Sequence, residues 1–336
     1  MSVPTPAATR KIVLCGAGFV ATYIARALAT HPGNRIQLVG RNPERSQQRL
    51  LSSGDLPAGV LLKPVQADIT DSSTLGPAFE GASTVVSLVG LLRASPEEFD
   101  LVQHQGVRNV AEAARAAGAN LVLFSAIGAD TGSPLDYWRT KALGEAAARQ
   151  VLGKRLTVLR PSLVFGPGDG FFARFARLAA VMPFLPVFGG GGARFQPVYA
   201  GDLARAVDIC ARRDADGEVD DAVGGTTFDA GGPDVFTYKE LMQLVLKYSN
   251  LRRPIVSLPF ALGKMQGAVL EQLPENLFTV TRSQVEQLKY DNVASLPEQG
   301  KLSFEELIRR FEGERGEEGG RLTSVHTVLP TYLGKH

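Results

Sequence analysis

The stretch KIVLCGAGFVATYIARAL, residues 11 to 28, runs four apolar-rich residues into a glycine turn and then into an alanine-rich segment with helical spacing. A strand that reverses through glycines directly into a helix lets backbone come close to a ligand and leaves the helix's first N–H groups without partners. That combination constrains the chain more than any other feature. It predicts the opening unit of an open parallel sheet with a ligand-facing turn.

The rest of the chain repeats the rhythm. Apolar runs at RIQLVG, VLLKPVQAD, STVVSLVG, NLVLFSAIG and LTVLRPSLV alternate with helical patterns over 20–30, 43–52, 98–117 and 137–152. Short buried strands separated by helices of ten to twenty residues indicate βαβ units, hence an α/β doubly wound parallel sheet. After Phe165 glycine and proline punctuate the chain heavily. The expected division is a nucleotide-binding core over 10–165, continued by about 200–232, and a smaller C-terminal substrate or docking lobe from 166–199 and 233–336. The polar, glycine-rich EGERGEEGGR at 312–321 reads as a loop or linker.

Composition narrows the function classes. With 336 residues, 44% hydrophobic and 21% charged, the chain can bury a sizeable core. A net charge of +2 without a basic stripe gives no reason to expect nucleic acid. Two cysteines and four scattered histidines offer neither a disulfide framework nor a metal-ligand spacing, so no metal site is expected. No stretch reaches the ~18 uninterrupted apolar residues of a membrane span. No acid precedes Glu44, whereas Arg10, Lys11, Arg26, Arg35 and Arg41 do, a pattern that suits mitochondrial import and equally suits avoidance of acids near a bound phosphate.

Gly16, Gly18 and Ala21 form G-x-G-x-x-A in the strand–turn–helix context a dinucleotide pyrophosphate requires, and Phe19 and Val20 complete that turn. At the end of the second strand an NAD site usually places an acid for the ribose 2′-OH; here Gly40 and Arg41 stand there. A small residue followed by a guanidinium favours a 2′-phosphate, so NADP(H) is the expected cofactor, with NAD(H) second. Asp68 and Ile69 are placed beside the adenine, and Val89 and Gly90 where a strand end passes the cofactor.

In DYWRTKALGE, Tyr137 and Lys141 are four residues apart and share one helix face. A phenol ionises near ~10, too high for acid–base work at neutral pH unless a cation stabilises the phenolate. Lys141 can be that cation, although a surface pair is the commoner reason for the spacing. Twelve residues before Tyr137, Ser125 closes a strand, where open α/β sheets build their sites. Ser125, Tyr137 and Lys141 are the candidate catalytic set.

These residues, with FDLVQHQGVRNVAEAARAAGA, FSAIGAD, LRPSLVFGPGDGFFARFARLA, RFQPVYAGDLA, FDAGGPDVFTYKEL, TRSQVEQLKYDNV and LPTYL, resemble the atypical branch of the short-chain dehydrogenase/reductase superfamily. More narrowly, the chain resembles the family of the accessory subunit of respiratory complex I, with its bacterial relatives and the related fungal protein of ubiquinone biosynthesis. The resemblance covers about residues 10 to 334. It implies a Rossmann-type fold, an NADP(H) site and a peripheral place on the matrix side of the mitochondrial inner membrane, among quinone-biosynthesis or complex I proteins. It puts nicotinamide contacts at Arg160, Pro161 and Ser162, and Gln196 and Pro197 near the nicotinamide end. Asp202 reads as a helix N-cap.

Two departures bear on function. The family turn is G-x-x-G-x-x-G, and those positions hold Cys15, Gly18 and Ala21. Conversely, the Tyr137–Lys141 pair is kept, which a purely structural holder does not need. The sequence puts support of ubiquinone biosynthesis first, as a holder of nucleotide or as an oxidoreductase, and a non-catalytic complex I accessory role second. A soluble sugar-nucleotide epimerase or reductase comes third. FFARFARLAAVMPFLPVF and PFALGKMQGAVLEQLPENLF read either as lobe core or as a face for a prenylated molecule or membrane.

Overall fold

The computed structural model describes residues 9–52, 56–212, 219–270, 277, 281–312 and 320–334. In chain order its strands and helices are β1 (Arg10–Cys15), α1 (Phe19–Ala29), β2 (Asn34–Gly40), α2 (Pro43–Ser52), β3 (Val65–Gln66), α3 (Leu75–Phe79), β4 (Ala82–Ser87), α4 (Pro96–Phe99), α5 (Gly106–Ala116), β5 (Asn120–Phe124), α6 (Asp136–Leu152) and β6 (Leu156–Pro161). They continue as β7 (Val164–Phe165), α7 (Phe172–Val181), β8 (Leu185–Phe188), β9 (Arg194–Phe195), β10 (Val198–Tyr199), α8 (Ala200–Cys210), β11 (Thr227–Ala230), β12 (Phe236–Thr237), α9 (Tyr238–Tyr248), β13 (Ile255–Leu258), α10 (Phe260–Leu270), α11 (Arg282–Gln287), α12 (Phe304–Glu312) and α13 (Val325–Tyr332).

Seven strands form the main sheet in the order β11-β6-β5-β4-β1-β2-β3. β1 pairs in parallel with both β2 and β4, so the strand order reverses at β1. Open α/β sheets bind ligands beyond the carboxyl ends of the strands at such a reversal. The expected doubly wound α/β fold is therefore present. Every residue of β5 is buried, as a central parallel strand covered on both faces requires. α5 shows its packed stripe at Val107, Val110, Ala111 and Ala114.

Two expected elements come out differently. VLLKPVQAD shrinks to the two-residue β3 plus a single bridge at Leu61, because Pro64 interrupts the run and has no N–H for the ladder. The helix expected over 98–117 is α4 and α5 joined by a π-helical turn, Asp100–Gln105. Such wide turns concentrate at functional sites.

The chain divides into two compact units. The first comprises Met1–Arg160, Gly201–Asp229 and Leu296–Gly320 and carries the sheet. The second comprises Pro161–Ala200, Ala230–Ser295 and Arg321–His336. Segment 296–320, grouped with the lobe by its sequence position, falls in the first unit, where α12 buries Phe304, Leu307 and Ile308. The 313–319 part of the expected linker lies outside the described residues.

The second unit has its own core, built from Phe165, Phe172, Leu185, Leu241, Val245 and Leu329 among others. FFARFARLAAVMPFLPVF is mostly part of that core, whereas on α10 Leu262 and Met265 stay exposed. Residues 271–276 and 278 of the second apolar stretch lie outside the described residues. No helix among the described residues is long and apolar enough to cross a membrane.

Candidate functional site

The turn after β1 explains the departure at Cys15. Cys15 is the last residue of β1 and faces the core, and burial pushes its thiol up to about 12. The left-handed conformation falls one residue later, on Gly16, at φ +92°. A Cβ there would meet Val89 Cγ2 at 3.1 Å and its backbone N at 3.2 Å. Glycine is needed at 16, not at 15, and Gly16 and Val89 are in contact.

Gly18 is the N-cap of α1, extended, with no side-chain capping bond. A Cβ on it would meet nothing within 4 Å, so the space ahead of the helix is open. α1 has no acid in its first turn, and Ala21 is buried against the sheet. Uncapped N–H groups, the helix dipole and an open approach suit a pyrophosphate. These residues fit a dinucleotide. Phe19 and Val20 are half-buried in the first turn, with the Phe19 ring edge-on to Tyr23 at 5.2 Å.

Arg41 is exposed just beyond β2, and its charge reaches Asp68. The Asp68 carboxyl is held below its ordinary range first by the Thr70 backbone N–H, at 2.9 Å, then by the Thr70 hydroxyl, with Arg41 adding to both. The side chain of Ile69 is buried and presses on Gly106, where a Cβ would lie 2.8 Å from its Cδ1. Ile69 thus packs core.

The acid–base residues converge at the ends of β4 and β5. Lys141 is buried on α6 and its Nζ donates to the Phe124 carbonyl at 3.1 Å, one residue before Ser125. Gly90 sits against the same ammonium: a Cβ on it would lie 2.9 Å from Lys141 Nζ. Burial lowers Lys141 to about 8, partly opposed by Glu145 one turn along the helix. Ser125 donates its N–H to the Leu159 carbonyl at 2.8 Å, while its buried Oγ has no partner among the described residues. A buried hydroxyl left unpaired carries a penalty that a bound oxygen would relieve.

Tyr137 lies in the first turn of α6, its ring edge-on to Phe99 at 6.1 Å. Burial pushes its phenol up to about 12. A phenol in that state is a proton donor, not a base. The nicotinamide of a dinucleotide whose pyrophosphate lay on the turn would supply or accept the hydride. Beside it, the Ser125 hydroxyl can orient a carbonyl oxygen, the Tyr137 O–H can donate a proton to it, and Lys141 can hold hydroxyls near Gly90.

Sequence reasoning missed Gln103. Fully buried in the π-helical turn, it accepts from the Leu91 N–H at 3.2 Å and donates to Thr140 Oγ1 at 3.0 Å and the Tyr137 carbonyl at 3.4 Å. It ties the backbone after Gly90 to the helix carrying Tyr137 and Lys141. The only signal was a polar residue on the buried stripe of a predicted helix.

Other expected site residues have structural partners. Pro161 and Ser162 belong to the second unit, where Ser162 Oγ lies 2.6 Å from Asn292 Oδ1 and accepts from the Gln196 N–H at 3.2 Å. The Gln196 amide bridges the Gly232 carbonyl and the Ala294 N–H, and Pro197 adjoins it in the same unit. Arg160 holds Glu145 through three hydrogen bonds, the shortest 2.6 Å. Asp202 is not the N-cap: it lies inside α8, buried and paired with Arg205 at 3.0 Å, because the helix already starts at Ala200.

A parallel sheet reversing at a glycine turn, with a Tyr–Lys pair on the helix after β5, defines a nicotinamide-nucleotide class of fold. Residues 12–224 match the model of the NAD dependent epimerase/dehydratase family, and the chain belongs to that family. It is 28% identical over 297 residues to NADH dehydrogenase (ubiquinone) 1 alpha subcomplex subunit 9, mitochondrial, of Arabidopsis thaliana, covering 86% of this chain and 71% of that one. It is 35% identical over 178 residues to the ceramide reductase of Caulobacter vibrioides, covering 52% of this chain and 53% of the reductase. The chain thus spans only about half the length of the reductase. A dTDP-glucose 4,6-dehydratase of Streptomyces venezuelae, solved with NAD and TYD bound, superposes with a TM-score of 0.67 at 17% identity over 96% of this chain and 95% of that one. That likeness concerns the fold alone.

Proposed function

We propose that this chain is a nicotinamide-dinucleotide-holding protein of the complex I accessory type, with NADP(H) as the nucleotide and the turn at Gly16–Ala21 as its phosphate site. Its place is peripheral, on the matrix side of the mitochondrial inner membrane. The observation that carries the holding role is the start of α1: Gly18 caps it without a side-chain bond, no acid stands in its first turn, and the approach to its free N–H groups is open. The likeness to the complex I subunit across most of the chain supports the partner class. Bound nucleotide stabilises a fold by mass action without reacting. Arg41 beside the open end of β2 supports NADP(H) over NAD(H).

A reductase is the second reading, favoured by the unpartnered Ser125 Oγ and by the likeness to the ceramide reductase. Support of ubiquinone biosynthesis, first on the sequence alone, rests on the resemblance to the fungal protein and moves behind the complex I role. One experiment separates these readings. Native protein is purified, its nucleotide released and identified by mass spectrometry, and its partners resolved by native electrophoresis. NADPH retained without oxidation, co-migration with complex I proteins and full function of Tyr137→Phe in cells are expected. Oxidation of the nucleotide by a carbonyl substrate, abolished in Tyr137→Phe, overturns the holding role. Co-migration with quinone-synthesis proteins overturns the partner assignment.

A further inference from the structure

Within the first unit a cleft of about 600 Å³ runs beside α6, in the size range of small-molecule sites. Ala142 and Ala146 of α6, the entry to edge strand β11 at Gly225–Thr227, and the turn carrying Glu298 and Lys301 line it, with Asp130 and Thr131 from the loop after β5. None of the dinucleotide-turn residues contributes to it.

Its charges are sorted. Arg160 is neutralised by Glu145. Arg149 instead donates to the Gly225 carbonyl and to Thr227 Oγ1, both at 2.7 Å, and Lys301 Nζ lies 3.4 Å from Thr226 Oγ1. Two cations therefore converge on adjacent threonines, bonded to neutral oxygens and, among the described residues, paired with no carboxylate. A guanidinium already held by two bonds is pre-oriented for an anion. Asp130 and Glu298 line the same cleft and are acceptors for hydroxyl donors. They would repel a bare anion, so a ligand must bring hydroxyls as well as a charge.

We infer that this cleft binds a polyhydroxylated anion of the sugar-phosphate or sugar-acid class, with the anionic group on Arg149 and Lys301 and hydroxyls on Asp130, Glu298 and Thr131. The site is separate from the dinucleotide turn and holds whether or not the nucleotide turns over. Calorimetric titration of the full chain with glucose-6-phosphate, gluconate, glucose and inorganic phosphate tests it. At least one of the first two is expected to bind saturably, with glucose and phosphate at least tenfold weaker. Their ranking distinguishes a phosphate from a carboxylate headgroup. Lys301→Gln and the double variant Arg149→Gln/Lys301→Gln are expected to weaken binding at least tenfold, with helical content and melting checked on each. Excess NADPH should leave it unchanged. Absence of saturable binding by both anions, wild-type affinity in the folded Lys301→Gln protein, or displacement by NADPH overturns the assignment.

Discussion

Lys141 has the most to reveal at the scale of the residue, because burial lowers it from 10.5 to about 8. A lysine whose folded pKa lies below its unfolded one destabilises the fold while charged. That penalty is fully present below about 8 and disappears as pH rises towards 10.5. Lys141→Met is therefore expected to raise stability at pH 7 by on the order of 2 kcal/mol, less the lost bond to the Phe124 carbonyl. Denaturant titrations of both proteins should converge between about pH 8 and 10.5; a gap independent of pH would contradict the assignment. Gly144 sets a second limit. A Cβ there would run into the Gln103 carbonyl, so Gly144→Ala should cost ~3 kcal/mol, read as a fall in melting temperature.

Two elements separate fold from function, α1 and α9. Because Gly18 has φ −86° and open space around it, Gly18→Val should leave the unfolding free energy of nucleotide-free protein within ~1 kcal/mol of wild type while weakening dinucleotide binding at least tenfold. Loss of folding instead would mean that the turn is structural. By contrast, α9 begins with a capping box in which Thr237 accepts from the Glu240 N–H at 3.2 Å. Thr237→Ala should cost about 1 kcal/mol without touching nucleotide affinity. The Thr237–Glu240 spacing is visible in sequence, since a cap needs only local geometry. The π-helical turn is not, because a wide turn has nearly the same hydrophobic periodicity as the helix it interrupts.

For the molecule as a whole, the first unit is closed by a buried charge network that no local pattern announces. Arg205 of α8 joins Asp202 at 3.0 Å and Glu312 of α12 at 2.6 Å, with both carboxylates almost fully buried. Nearby, Asp208 is shared by Arg212 at 2.8 Å and His31 at 2.9 Å. Removing one partner of a buried pair strands the others' charge, so Arg205→Ala should destabilise the unit by ~3 kcal/mol or more. Denaturant unfolding measures this directly. Hydrogen exchange on α12 should accelerate most, since α12 is the element that Glu312 anchors.

The sequence by itself determined the alternation of buried strands and helices, the position of the glycine turn and the residue types at Ser125, Tyr137 and Lys141. Those are properties of short windows, where periodicity and turn chemistry act locally. Tertiary structure decided the rest. It put the left-handed turn residue at Gly16 instead of position 15, brought Gly90 against the Lys141 ammonium, and set Gln103 between Leu91 and Thr140. It also returned 296–320 to the sheet-bearing unit. Each depends on groups far apart in the chain meeting where water is excluded, and burial shifts the Tyr137 phenol and the Lys141 ammonium as no local pattern can.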